Sequence, residues 1–285
     1  MNLKQGFIQK STLHAHPRAL NYWLNSMKRI FAVSFLLLVG CTATPISPPL
    51  AHIPEDCTTP GKIIRAELSQ LSGNYTYSYR VYLPPCFSAE SESRYPVLYL
   101  VPGRGGGPDS WFAAGLAQIV DDLILGNQIP PFIIVATESI DSDPLGEIIS
   151  NELIPTIEGQ YPISDERRHH AVAGGSLGGI AAYRLAFQHP DAFGSAGIFG
   201  AGAISGEENR INSWLSGMTD ENRVRVFMDC GDQDTLMLDR AEVMKSLLDN
   251  AGVENQLHVG SGGHNYTYWL SNFETYLKWM SNDWQ

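Results

Sequence analysis

Ser176 lies in the run Ala171-Val172-Ala173-Gly174-Gly175-Ser176-Leu177-Gly178-Gly179, a G-x-S-x-G pattern between an apolar stretch and a segment of helical spacing. A serine nucleophile needs that layout: a sharp strand-to-helix turn, small neighbours that permit a strained backbone, and a helix N-terminus facing developing negative charge. Its hydroxyl also needs a base. Beyond the first forty residues the chain offers His52, His169, His170, His189, His258 and His264. His264 is the candidate, because it follows the flexible loop Gly260-Ser261-Gly262-Gly263 and precedes the last helical segment. His258 reads as a strand residue, His189 as a helix end, and the adjacent His169 and His170 as a strand entry. Adjacent strand residues point to opposite faces, so that pair makes a poor metal site, and no metal is expected.

An acid that orients the histidine should come between serine and histidine in chain order, on a loop after a strand. The run Asp229-Cys230-Gly231-Asp232-Gln233-Asp234 supplies it. Asp229 reads as strand, whereas Asp232 and Asp234 both fall on the loop, and spacing does not separate them. The oxyanion of an acyl-transfer intermediate needs two backbone N–H donors. Leu177 follows the nucleophile, and the loop Val101-Pro102-Gly103-Arg104-Gly105-Gly106-Gly107 follows an early strand. The plainer reading of that loop is a glycine turn. A nucleotide-binding reading fails, since no Gly-Lys-Ser/Thr follows and Pro108 breaks G-x-G-x-x-G. No cofactor is expected. Trp111, Trp214 and Trp269 either line a pocket or pack in the core, and packing is the commoner role.

The elements that must position these residues follow from periodicity. Residues 62–71 and 75–83 alternate apolar and polar side chains, as two half-exposed antiparallel strands at a sheet edge would. Later apolar runs at 97–101, 132–136, 171–173, 196–199 and 224–228, with a further candidate strand at 255–259, alternate with helical segments at 111–125, 146–158, 177–188, 238–251 and 266–280. That alternation predicts an α/β fold: a mostly parallel central sheet, helices on both faces and antiparallel N-terminal edge strands. With 285 residues and 44% hydrophobic content, one catalytic domain over 61–285 is the expectation. A net charge of −11 argues against a nucleic-acid partner, which clustered Lys and Arg would hold.

Residues 27–41, MKRIFAVSFLLLVGC, open with Lys28 and Arg29 and continue into an apolar run that ends at Gly40 and Cys41. The run is shorter than the ~20 apolar residues of a membrane span, so 27–40 is expected to be a signal peptide. Leu38-Val39-Gly40-Cys41 resembles the bacterial lipobox, which implies a diacylglyceryl anchor on Cys41 and a place in the cell envelope, facing the periplasm or on the outer membrane. Residues 1–26 are then expected to precede the true start. Pro- and Thr-rich residues 41–60 read as a tether. In an oxidising compartment Cys57 and Cys86 could form a disulfide, and Cys230, in an apolar run, reads as a buried thiol.

Seven segments together resemble one family: Tyr82-Leu83-Pro84-Pro85, Tyr95 through Gly103, Asn151 through Pro155, Gly174 through Gly179, His189 through Phe193, Gly231 through Asp234, and Gly263-His264 with Trp269. They are similar to the putative-esterase family of α/β-hydrolases, which includes feruloyl and acetylxylan esterases, S-formylglutathione hydrolases, enterochelin esterases and mycolyltransferases. The resemblance runs from about Gly61 to the C-terminus. It implies that the acid of the G-x-x-D pattern is Asp234, and that Ser176, Asp234 and His264 hydrolyse esters with the N–H groups of Arg104 and Leu177 as oxyanion donors. Most members carry His-Gly where this chain has Pro102-Gly103, which leaves open what holds that loop. The expected substrate is a sugar-linked, aromatic or siderophore ester. An acyltransferase on the same fold, or a surface-binding protein that has lost catalysis, are the alternatives.

Overall fold

The computed structural model describes residues 48–69, 76–139 and 144–284. Residues 1–26, the segment 27–40 expected to be a signal peptide and the lipidation candidate Cys41 lie outside them. Strands β1 (Lys62–Ser69) and β2 (Thr76–Leu83) pair antiparallel, Lys62 opposite Leu83 and Ser69 opposite Thr76. Strand β2 then pairs antiparallel with β4 (Ile133–Ala136). From there the sheet is parallel: β4, β3 (Val97–Val101), β5 (His170–Gly175), β6 (Ser195–Phe199), β7 (Arg225–Gly231) and β8 (Asn255–Gly260). The spatial order is β1-β2-β4-β3-β5-β6-β7-β8. The mixed sheet read from the sequence is therefore present, with its antiparallel strands at the N-terminal edge.

Parallel strands covered on both faces must be apolar on both, and β3 shows why. Val97, Tyr99 and Val101 point into one core, Leu98 and Leu100 into the other, and all five are buried. Each such side chain contributes about 1.5–3 kcal/mol by leaving water. One core is covered by α1 (Ser110–Ala113), α2 (Leu116–Leu125) and α8 (Tyr266–Ser281). The other lies under α4 (Ile154–Gln160), α5 (Leu177–Gln188), α6 (Glu208–Ser216) and α7 (Thr235–Asn250). A helical turn, α3 (Pro144–Ile148), leads through a π-helical turn at Ile149–Leu153 into α4.

Two element expectations are corrected and one helix is added. The helix predicted over 111–125 is broken by Gly115 at φ 108°, a left-handed conformation that glycine adopts without a Cβ clash. The helix over 146–158 carries the π turn just before Pro155, whose ring removes one backbone donor from the α-helical ladder. Helix α6 went unpredicted because only Ile211 and Leu215 anchor it in the core. The segment from Pro49 to Cys57 makes contacts of its own with the rest of the chain. The Ala51 N–H donates to Arg94 O at 2.8 Å and the Arg94 N–H to Pro49 O at 2.9 Å. Cys57 and Cys86 form a disulfide with Cα atoms 6.0 Å apart, fastening this segment to the end of β2. Cys230 is buried in β7, and burial pushes its thiol up to about 12.

The chain passes from β3 to β4 on one side and returns across β3 to β5 on the other. The loops after β3 and β5 therefore diverge, which opens a crevice at the carboxyl ends of the strands.

Candidate active site

Ser176 stands between β5 and α5 with φ 57° and ψ −120°, a backbone conformation rare outside glycine and one that stores strain. The turn closes because its neighbours lack side chains. A Cβ on Gly174 would lie 2.3 Å from the carbonyl carbon of Gly178, and one on Gly178 would lie 2.2 Å from Val101 O. The two glycines of G-x-S-x-G thus let α5 start against β5 and β3. The Ser176 N–H donates to Phe199 O at 2.8 Å, which ties the turn to the end of β6.

Asp234 stands at the residue before α7, three residues past β7. Its Oδ2 lies 2.5 Å from Nδ1 of His264, which leaves the imidazole Nε2 as the ring nitrogen available to a serine. The Asp234 side chain is 11% exposed and that of His264 37%, so the pair sits at the mouth of the crevice. Asp232 does something else: its Oδ1 accepts the Gly262 N–H at 3.0 Å. The backbones of the two loops are also joined, Asp232 N–H to Gly260 O at 2.8 Å and Gln233 N–H to Gly262 O at 2.9 Å. Spacing left the two aspartates open; in the structure Asp234 lies on the imidazole and Asp232 on the loop backbone.

Trp269 packs against both Gly175, the neighbour of Ser176, and His264. A Cβ on Gly175 would lie 2.6 Å from Trp269 Cζ3, and one on Gly200 would lie 2.9 Å from the same indole and 3.1 Å from His264 Nδ1. The imidazole stands edge-on to Trp269 with ring centroids 5.2 Å apart. Among the described residues no hydrogen bond joins Ser176 Oγ to His264, and catalytic hydrogen bonds of this kind tighten only as the reacting complex forms.

The loop after β3 approaches from the other side, where a Cβ on Gly103 would lie 3.4 Å from Ser176 Cβ. The Arg104 N–H has no acceptor among the described residues. Leu177, first residue of α5, carries one of the N–H groups that a helix start leaves without an internal partner. The Gly103 N–H donates to Tyr266 Oη at 3.2 Å. Tyr266 thus holds the loop after β3. Tyr266 is not among the candidates read from the sequence, since its partner Gly103 lies 163 residues away.

The remaining candidates fall elsewhere. His169 and His170 lie at the opposite end of β5 from Ser176, His189 ends α5, and His258 lies within β8. Trp111 and Trp269 are buried core residues, Trp269 doubling as the wall behind His264. Trp214 on α6 packs beneath the Arg210 guanidinium, 4.7 Å from its ring centre.

This sheet, with a strained serine at the turn after β5 and an acid–histidine pair after β7 and β8, has the α/β-hydrolase fold. The chain belongs to the putative-esterase family, whose profile matches residues 72–280. An endo-1,4-beta-xylanase/feruloyl esterase of Xylanibacter ruminicola is 30% identical over 171 residues, covering 54% of this chain and 22% of that protein. The chain thus spans under a third of that relative's length. Among solved structures, a ferulic acid esterase superposes with a TM-score of 0.69 at 25% identity, over 80% of this chain and 100% of that one. A serine-to-alanine mutant of the feruloyl esterase module from Clostridium thermocellum, complexed with sinapinate, superposes with a TM-score of 0.67 at 20% identity, over 82% and 94%.

Proposed function

We propose that the protein is a serine esterase that cleaves carboxylic esters through an acyl-enzyme on Ser176. The observation that carries this reading is the 2.5 Å contact of Asp234 with His264, beside a serine held at φ 57° on the turn after β5. With Nδ1 held by Asp234, Nε2 of His264 takes the Ser176 proton as Oγ attacks the ester carbonyl. The N–H groups of Arg104 and Leu177 receive the oxyanion. The C–O bond to the alcohol then breaks, and His264 returns the proton to the departing alkoxide. Water, deprotonated by the same imidazole, attacks the acyl-enzyme and frees the carboxylic acid and Ser176. The 37% exposure of the His264 side chain gives water access to this step, which favours hydrolysis over acyl transfer to another alcohol.

The substrate class that the relatives' names support best is an aromatic acyl ester on a sugar, of the feruloyl type. The half-buried Tyr266, beside the nucleophile turn, gives an aromatic acyl group a ring to pack against. The expected site of action is the cell envelope, with the chain anchored by lipid on Cys41. The export chemistry of residues 27–40 and the disulfide of Cys57 with Cys86, a bond of oxidising compartments, support that placement.

A fluorophosphonate probe should label Ser176 in the parent protein and not in Ser176→Ala, and a panel of feruloyl, acetyl-sugar and siderophore esters should rank the substrates. The variant should lose ~10⁴-fold or more in turnover while staying folded. Ester turnover unchanged in Ser176→Ala would remove that residue from the mechanism, and absence of labelling in the parent would favour a binding protein that has lost catalysis.

A further inference from the structure

Beneath the loop that carries His264 lies a second polar network, built from residues outside the proposed triad. Asp229 in β7 pairs across the sheet with His258 in β8. Its carboxylate is 2% exposed, and Oδ1 accepts from His258 Nδ1 at 2.9 Å and from the Tyr268 hydroxyl at 2.7 Å. The same Tyr268 Oη lies 2.8 Å from Cys230 O and accepts the Gly260 N–H at 3.0 Å. One phenol oxygen therefore touches the ends of both strands that launch the acid and histidine loops. Its ring fills the space above Gly262, where a Cβ would come within 2.3 Å of Tyr268 Cδ2. Its backbone N–H donates to Asn265 Oδ1 at 2.9 Å.

Gly260, Gly262 and Asn265, all three in contact with Tyr268, bracket His264 in the chain. Without an anchor, the run Gly260-Ser261-Gly262-Gly263 has wide conformational freedom, and an imidazole at its end would sample many positions. A misplacement of about 1 Å at a reacting group can cost on the order of 10²-fold in rate. A buried carboxylate fixed by two donors is a firm seat for such an anchor.

We propose that Tyr268, seated on Asp229, which His258 also holds, is a positioning residue for His264. It holds the loop 260–265 so that the imidazole stays between Asp234 and Ser176. This inference rests on the triad reading above, and a polar group acting through His264 has an effect that depends on His264.

Tyr268→Phe keeps the ring against Gly262 and removes only the hydroxyl. Measured on p-nitrophenyl acetate, kcat should fall roughly tenfold with KM within about twofold of the parent. In a His264→Ala background the same substitution should leave the residual rate unchanged, because the group it positions is gone. An active parent with an unchanged rate in Tyr268→Phe, or an equal loss in both backgrounds, would overturn the positioning role and leave the triad reading intact. A parent without ester turnover would refute the triad reading itself. If Tyr268→Phe does not accumulate as folded protein, Asp229→Asn carries the same two-background comparison. It keeps an oxygen for Tyr268 while removing the charge, and should give a smaller loss that again vanishes without His264.

Discussion

The hydroxyl of Tyr266 accepts a hydrogen bond from the Gly103 N–H at 3.2 Å, which ties the loop after β3 to the first turn of α8. Two sides of the proposed site, the oxyanion loop and the helix that follows His264, are thereby held in one arrangement. Tyr266→Phe removes that bond and keeps the ring contacts with Trp111 and Trp269, whose centroids lie 4.8 and 5.2 Å away. A hydrogen bond of this kind is worth about 1 kcal/mol, roughly fivefold in rate if it is lost only as the oxyanion forms. Steady-state kinetics should show that drop in kcat/KM with the unfolding midpoint little changed, and a parent-like kcat/KM would contradict it.

Asp232 and Asp234 differ in what they hold, so their substitutions should separate. Asp234→Ala leaves His264 Nδ1 without its partner and should lower kcat by roughly 10³-fold or more. Asp232→Ala removes only the acceptor of the Gly262 N–H, and should cost no more than about tenfold. Comparable kcat losses in the two variants would show that the acid has been assigned to the wrong residue.

How much of this was legible follows from the range of each interaction. The turn at Ser176 was readable because strand, glycines and helix lie within nine consecutive residues. The strands were readable because burial on both faces writes itself as uninterrupted apolar runs such as 97–101. The acid was not fixed by spacing, because Asp232 and Asp234 share one loop and differ only in which groups of a distant loop they meet. Tyr266 and Tyr268 were missed for the same reason. Their partners Gly103 and Asp229 stand 163 and 39 residues away, and no local pattern marks such contacts. The packed segment at 49–57 was hidden too, since one bridge to Arg94 and one disulfide hold it rather than any periodic face.

The disulfide between Cys57 and Cys86 closes a loop with a sequence separation of 29. Closing a loop of that length removes unfolded-state entropy worth about 3–4 kcal/mol. Cys57→Ser should therefore lower the unfolding free energy by about that amount under oxidising conditions, measured by urea titration. Under reducing conditions the two proteins should converge. Equal stability without reductant would mean that the bond contributes nothing.

His169 makes a prediction about acid stability. It is 2% exposed, its Nδ1 lies 2.6 Å from Ser164 Oγ, and Nε2 has no partner among the described residues. Burial pushes its pKa down to about 4, with the charges of Arg168 and His170 adding to the effect and those of Glu166 and Asp283 opposing it. In the unfolded chain the same ring titrates near ~6.5. Between those two values the unfolded chain binds a proton that the folded one does not, so stability falls as pH drops through the window and is fully present above it. The loss should be on the order of 2–3 kcal/mol from pH ~7 to ~4, beyond whatever the carboxylates contribute. His169→Asn has no proton to gain, so urea unfolding across that range should show a shallower decline than in the parent. Parallel curves for the two proteins would mean that the buried imidazole is already accommodated as a cation.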